Sequence, residues 1–574
     1  MKGMGENVRK KVLYDYVINT KVTGPLSKNS LIWTKNIVGD YGISDTDSPN
    51  AVHDNQKYGY SMWIKEEAPE DFELVFDFEG SYPIGKMYIW NYNRYDSDEP
   101  QKDYIACGLR EIKLFTSVNQ YNWEELKGKG YPYILQKATG EKDMAATNLL
   151  SGEPVDFGGI TARYVKLRII ASPGIGNWDK DNKFNNSFGI SKIRFFTGEG
   201  YAVLKDDEWT ELFARRDGWA GGDGIYSIPL DGKDNIPNHV HTMFTFGDTL
   251  IGNAENYCGR RSEDTFMINN SICVLKNGEP KIDNISFHWQ KDAMGNNQSA
   301  LIPDRNIFSD YSKDTFFWVQ DGVVVDNTYY SFPYIVRDEP SNPEGFGFAI
   351  EGVAMLSIKT DGEKLYWTDA KQQEFKLFHT YEDNSMLLFG GAVFNNTKEA
   401  GALNPDGYIY IYGHRSVFFT KNLYVCRVKR TEIADISSYK FWNGQAWADY
   451  IKDAEPIAEN VSCELSISYI TGKLNNGKLI MIFQEYANSP MISYRIGESP
   501  VGPFSEITKL YNCPEPEEGR SIYAYNAKAH PHLSGDDELL ISYNVNACNM
   551  DMNMAHSEIY SPRFLRLVEV CNDL

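Results

Sequence analysis

Short runs in which hydrophobic and polar residues alternate, or in which aromatic and β-branched residues crowd together, recur along the whole chain. They include FELVFDF (72–78), KMYIWNY (86–92), EIKLFTS (111–117), YVKLRII (164–170), KIRFF (192–196), YIYIYG (408–413), KLIMIF (478–483) and LLISYNV (539–545). A period of two is the signature of a strand with one buried face, and no long stretch keeps the 3.6 period of a helix. Clusters of Gly, Asn, Asp and Pro separate the runs, as turns require. The pattern predicts an all-β protein.

A boundary is expected at TGEGY (197–201), which divides the chain into a domain over 1–198 and another over 199–574. The second part carries a five-fold pattern of strand, turn and returning strand. GIYSIPL returns as HTMFTF, so folding about residues 235 and 236 sets Asp223 opposite Asp248. DGVVVDNTYYSF turns near Asn327 and leaves Asp321 at its open end. FGGAVF and GYIYIYGHR set Gly390 opposite His414, and CELSISYI with KLIMIFQEY sets Glu464 opposite Glu485. YNAKAHPHL and ELLISYNVN bring Asn526 and Lys528 near Tyr543 and Asn544. Five such units suit a five-bladed β-propeller, whose inner strands converge on a central channel. One mouth of that channel would collect Asp223, Asp248, Asp321, Glu464, His414, Arg415, Glu485, Lys528 and His530, with Trp318 and Asn544 among the substrate-contacting residues. Asp231 and Asp406, each followed by Gly, read as turn residues.

Composition narrows the partner. Aromatic residues make up 14% of the chain, with 37 Tyr and 12 Trp; flat rings suit strands and also the faces of sugars. The formal net charge of −22 argues against a nucleic-acid or anionic-membrane partner, both of which need a basic surface. No apolar run is long enough to span a bilayer, and the start, MKGMGENVRKKVLYDY, lacks the apolar stretch of a secretory signal. The expected location is extracellular or cell-surface with the signal removed; a chain that stays inside the cell is the alternative. The eight cysteines are scattered without zinc-like spacing and read as thiols. A monomer or small homo-oligomer is expected, and no cofactor is required for the chemistry.

Five motifs in the first part keep a familiar order: SPNAVHDNQKYGYSMW (48–63), FELVFDFEGSYPIGKMYIWNYN (72–93), GLREIKLFTS (108–117), ARYVKLRII (162–170) and FGISKIRFF (188–196). Residues 30–197 thereby resemble the discoidin, or coagulation-factor type C, domain. That resemblance implies a jelly-roll β-sandwich with a galactose-binding-like fold, sugar-binding loops at one end and a structural calcium. Trp33, Tyr58, Tyr60 and Trp178 are its candidate stacking residues. In the second part, GGDG (221–224), FGDT (246–249), ESPVGPFSEI (498–507) and AKAHPHLS…LLISYNVN are similar to five-bladed glycosidase propellers, nearest to families related to the endo-D-arabinanases.

The second resemblance spans residues 209–570 and implies hydrolysis of a glycosidic bond, which needs a proton donor and a second carboxylate across the scissile bond. It casts Asp223 as base or nucleophile, Glu464 as general acid and Asp321 as the tuning acid, with Asp248 a rival to these. The sequence departs from that pattern in its third unit, which begins with Gly390 and Gly391, so Glu464 comes one unit late. A non-catalytic glycan-binding protein and a glycoside phosphorylase are the alternatives. The second would need several cations round a phosphate, and only His414, Arg415 and Lys528 offer them.

Overall fold

The computed structural model describes residues 12–572, apart from 238–239, 257, 343–346, 418–419, 487–488 and 519–520. The chain is all-β, a jelly-roll β-sandwich followed by a five-bladed β-propeller. It forms two compact units, Met1–Leu204 with Val568–Leu574, and Lys205–Leu567. Among the described residues no helix is long and apolar enough to cross a membrane.

In the first unit one strand, Phe72–Asn91, does the work of two. Its first half pairs antiparallel with Val155–Ile169, Phe76 lying across from Val165. Its second half pairs with Phe188–Thr197, Ile89 lying across from Ile193. Register shifts between Asp77 and Tyr82, and again between Ile84 and Lys86, bend it between the layers. Alternation then does the sorting. In Glu111–Ser117, Ile112 and Leu114 are buried and Lys113 is exposed. The core between the layers gathers Trp63, Phe76, Met87, Leu114, Val165 and Phe195, each contributing about 1.5–3 kcal/mol by leaving water.

The second unit is built round five blades. Their inner strands, Tyr226–Pro229, Gly322–Val325, Met386–Asn396, Leu465–Tyr469 and Ile522–Ala529, are neighbours in that order. Side chains of the fifth then reach the first: Lys528 Nζ lies 3.4 Å from Gly224 O, and His530 Nδ1 is 2.7 Å from Ser227 Oγ. The ring of blades is closed. Apolar side chains fill the gaps between blades, as where Tyr226, Ile228 and Met243 of the first pack with Val324, Tyr329 and Leu356 of the second.

Register decides which residues stand at the open ends. Tyr226 pairs with Thr245 and Pro229 with Thr242, which carries Asp223 opposite Asp248. In the third blade Leu388, not Gly390, faces His414. A bulge there inserts Gly390 and Gly391 between the pairs Phe389–Gly413 and Ala392–Tyr412. In the fourth, Leu465 pairs with Phe483, so Gln484 rather than Glu485 continues the line at Glu464. The sequence-level symmetry misses both because a bulge and a one-residue offset leave the hydrophobic alternation unchanged.

The other end of the first inner hairpin folds against the third blade. Asn235 N donates to Ala400 O at 3.0 Å, Asn235 Nδ2 to Asn395 O at 2.8 Å, and Asn395 Nδ2 to Asp234 Oδ2 at 2.9 Å. Burial pushes the Asp234 carboxyl up to about 7 despite the Asn395 bond. A carboxyl raised above its unfolded value stabilises the fold fully below about pH 4, and that contribution is lost as pH rises through about 7. Asp234→Asn keeps an acceptor for Asn395 and cannot ionise. Thermal unfolding at two pH values checks this: the variant should match the wild type at pH 4 and melt about 2–4 °C higher at pH 8. A lower melting temperature at pH 8 would mean that the ionised Asp234 is favoured.

Candidate active site

Two carboxylates meet first through their own backbone. Asp223 N donates to Asp248 O at 3.2 Å, and Gly247 N donates back to Asp223 O at 2.9 Å, so the mouth of the first hairpin holds both acids side by side. Tyr525 OH donates to Asp223 Oδ2 at 2.9 Å, and Tyr560 OH lies 3.4 Å from the same oxygen and 3.2 Å from Asp248 O. Trp318 Nε1, arriving from the second blade, donates to Asp248 Oδ1 at 3.0 Å. The fourth blade brings Glu464, whose Oε2 accepts from Lys528 Nζ and whose Oε1 accepts from Asn526 Nδ2 at 3.1 Å.

The fifth blade supplies three of these partners through one irregularity. Tyr525 pairs with Asn544 and Lys528 with Ser542, so a bulge adds one residue between them. Asn526 sits in that bulge with φ +61°. Neighbouring residues of a regular strand point to opposite faces; here Tyr525 reaches Asp223 while Asn526 and Lys528 reach Glu464. Tyr560 is also in the left-handed region, at φ +70°. Its loop is held by Arg261, which is 1% exposed and donates to Ala220 O at 2.7 Å, Ser557 O at 3.1 Å and Ile559 O at 2.9 Å. Non-glycine residues held at positive φ store backbone strain that surrounding contacts must support.

Electrostatics separate the acids. Burial, then repulsion from Asp248 and Glu464, pushes the Asp223 carboxyl well above the carboxylate range, against the Tyr525 bond and Lys528. Burial lifts Asp248 to about 6, opposed by bonds from Trp318 and Asn269. Burial and the nearness of Asp223 push the phenols of Tyr525 and Tyr560 upward, which keeps them hydrogen-bond donors. Glu464 differs from both aspartates because it has a cation. Lys528 is 2% exposed, bonded to Glu464 and set 4.2 Å from the centre of the Tyr226 ring.

Asp321 stands at the start of the second inner strand with its carboxylate bound to backbone. Oδ1 accepts from Gly322 N at 2.8 Å and Oδ2 from Val393 N at 2.7 Å, tying the second blade to the third. Burial lifts it to about 7. The third blade adds no acid for a steric reason. A Cβ on Gly390, whose φ is +125°, would meet Phe332 O at 2.8 Å, and one on Gly391 would meet Cys463 O at 2.6 Å.

Of the expected substrate-contacting residues, Trp318 and Lys528 join the acid cluster and the others do not. His530 is 1% exposed, with Nδ1 on Ser227 Oγ and Nε2 on Ser542 Oγ, so neither nitrogen faces a ligand. His414 is buried near the Tyr334 ring, and burial holds it down to about 3, a neutral imidazole. Arg415 lies over the Tyr381 ring, 3.0 Å from Asp383 Oδ2 and 2.8 Å from Ser385 Oγ, committed to the turn that precedes Met386–Asn396. Glu485 accepts from Ser493 Oγ at 2.6 Å within the fourth blade. Asn544 is buried and donates to Gly222 O at 3.3 Å, which joins the fifth blade to the first. Tyr525 and Tyr560 are the site residues that sequence reasoning missed; it set Asn526 at the open end of the fifth unit without assigning it to the site. The bulge signal, an Asn inside a strand, was present for Asn526 alone.

The first unit has its own cavity, about 270 Å³, lined by Tyr58, Tyr60, Arg94, Tyr104, Glu66 and Phe184 among others. The Tyr58 and Tyr60 rings stack at 5.5 Å, and the Arg94 guanidinium lies 3.9 Å from the centre of the Tyr104 ring. Trp33 is half exposed outside this lining, with Lys35 Nζ at 3.9 Å from its ring centre, and Trp178 lies under Arg110 at 5.2 Å.

Fold and site together define a five-bladed propeller with an acid cluster at one mouth of its ring. The family that matches is described as a domain of unknown function, DUF5005; it covers residues 206–570, and the chain belongs to it. Among curated proteins none matches. Solved structures similar to the chain include a Bacteroides ovatus protein provisionally described as a hydrolase, at 20% identity, 64% of this chain, 90% of that one and TM-score 0.47. Another is the CBM32-1 module of a family 31 glycoside hydrolase from Clostridium perfringens, at 12% identity, 32% and 97% coverage and TM-score 0.20. A third is a fucose-binding module of Streptococcus pneumoniae, at 11% identity, 31% and 95% coverage and TM-score 0.19. At these TM-scores the likenesses define neither fold nor activity for this chain.

The Lys528–Glu464 pair is buried, and removing one partner of such a pair strands the other. Lys528→Met should cost about 3–5 kcal/mol, with part of the loss recovered in the double variant Lys528→Met, Glu464→Gln. Urea unfolding of the single and double variants measures the coupling; strictly additive losses would mean that the pair is not an energetic unit.

Proposed function

We propose that the propeller hydrolyses a glycosidic bond, with Asp223 as proton donor and Glu464 as the carboxylate that attacks carbon or activates water. The observation that carries this reading is the placing of the Lys528 ammonium. Lys528 bonds Glu464, and among the described residues no cation is bonded to Asp223, which lies against Asp248 in a buried setting. A buried carboxyl pushed upward beside a carboxylate bound to an ammonium supplies the proton donor and the second carboxylate that the reaction needs. The proton passes from Asp223 to the leaving oxygen as the C–O bond breaks, and water supplies the new C–O bond directly or in a second step. This reverses the roles that the glycosidase resemblance implies for these two residues. Asp248 raises the Asp223 pKa by repulsion, and Tyr525 and Tyr560 orient the Asp223 carboxyl. Asp321 holds blades together rather than touching substrate.

The substrate is a neutral sugar. Lys528 is spent on Glu464 and Arg415 on Asp383, so a uronate or phosphate at the mouth would meet three carboxyls without an available cation from either. The same shortage favours hydrolysis over phosphorolysis. Furanosides of the arabinan type are the first class to assay, on the resemblance of GGDG and FGDT to arabinanase-related propellers. The sandwich, with tyrosines and an arginine round its cavity, would hold a glycan chain near the propeller and raise its local concentration.

Turnover on a panel of arabinans and other neutral glycans tests this. Asp223→Asn and Glu464→Gln should each lose about 10²–10⁴-fold in kcat. Activity that needs a protonated Asp223 falls as pH rises through its pKa. Asp248→Asn removes a repelling charge, so this alkaline limb should move to lower pH while turnover persists. Full turnover by Asp223→Asn would refute the assignment. Glycan binding without turnover by the wild type would make the protein a lectin-like binder.

A further inference from the structure

The discoidin resemblance of the first unit implies a structural calcium, and the fold supplies a test of fit. A hard cation needs six to eight oxygen ligands, many of them backbone carbonyls. In this sandwich the carbonyls of one stretch already face side-chain nitrogen, two at the Lys192 ammonium and three at the Arg194 guanidinium. Lys192 and Arg194 stand two apart on Phe188–Thr197, so both side chains leave the same face of the sheet. Lys192 is 0% exposed, and its Nζ donates to Asn36 O and, at 2.8 Å, to Ser61 O. Arg194 is 5% exposed; it donates from Nη2 to Gly39 O at 2.9 Å, from Nη1 to Ile37 O at 3.4 Å and from Nε to Thr46 O at 3.3 Å.

These carbonyls belong to the end of the short helix Thr34–Ile37 and to the irregular stretch that leads from it to Trp63–Lys65. That stretch would otherwise turn buried carbonyls toward one another, an arrangement that needs positive charge or donors between them. Asp54 and Asp40 supply counter-charge to Lys192, while burial and Arg194 hold its pKa down to about 7. Asp54 is itself bound, taking 2.6 Å from Ser61 Oγ. Buried His53 is held at about 4 by burial and by Lys192, a neutral ring beside the ammonium. Among the described residues no group of three or more His, Cys, Asp or Glu is arranged to hold a metal ion.

We infer that the sandwich carries its structural cation covalently: Lys192, with Arg194 beside it, takes the carbonyl set a metal would take, and the unit folds without calcium. The residues present do not fit a metal ion at this point, because the Lys192 ammonium fills it.

Thermal unfolding of the full chain in excess EDTA and in millimolar calcium, with metal analysis after gel filtration, tests the inference. The expected result is one melting curve in both and no calcium retained in proportion to protein. A calcium-dependent rise of more than about 5 °C, or calcium retained at one per chain, would overturn it. Lys192→Met keeps volume and removes the charge, leaving the Asn36 and Ser61 carbonyls without a donor. It should lower the melting temperature by about 5 °C or more, and an unchanged melting temperature would equally overturn the inference. Should that variant fail to fold, the wild-type measurements decide the matter alone.

Discussion

The propeller depends on where one ammonium sits. Lys528 comes from the fifth blade, bonds a carboxylate of the fourth and reaches a carbonyl and a ring of the first. A charge in so dry a place is tolerable only with its partner in contact, so Glu464 is drawn to it. The ring closes between its last and first blades at the spot where the acids gather. The same contact uses up the cation that could have neutralised Asp223. Closing the ring and setting the charge pattern of the site are thus one interaction, and a change at Lys528 would disturb both.

Around that contact the chain departs from regular strand geometry wherever a side chain must be aimed. The bulge at Tyr525–Lys528 turns successive residues to one face. The bulge at Gly390–Gly391 brings backbone so close to Phe332 and Cys463 that no side chain fits. Tyr560 is kept at a positive φ by a loop that Arg261 grips through carbonyls. Each is an expense in backbone conformation that packed neighbours offset, and each lies at the acid cluster or beside it.

This also explains what could be read from the residues and what could not. Strand alternation locates the inner strands, and a hairpin with no bulge, such as that of Asp223 and Asp248, yields its register by simple folding of the sequence. A bulge changes register without changing composition, so the pairing expected for His414 shifts, and a one-residue offset of the fourth-blade hairpin does the same for Glu485. His530 looked like a ligand for sugar, yet two serines distant in sequence or across a strand pair take its nitrogens. Such long-range satisfaction of a polar group leaves no local mark. The same holds for Lys192, where a buried lysine in a β run reads as an exposed position until the carbonyls of residues 36 and 61 are seen around it.

The proposed mechanism requires that Asp223 hold the proton and that Glu464, bound to Lys528, act as the carboxylate. Difference infrared spectroscopy of wild type against Asp223→Asn and against Glu464→Gln measures this directly. The account predicts that a protonated-carboxyl band is lost in Asp223→Asn and an ionised-carboxylate band in Glu464→Gln. The reverse pattern, with the protonated band lost in Glu464→Gln, would contradict it.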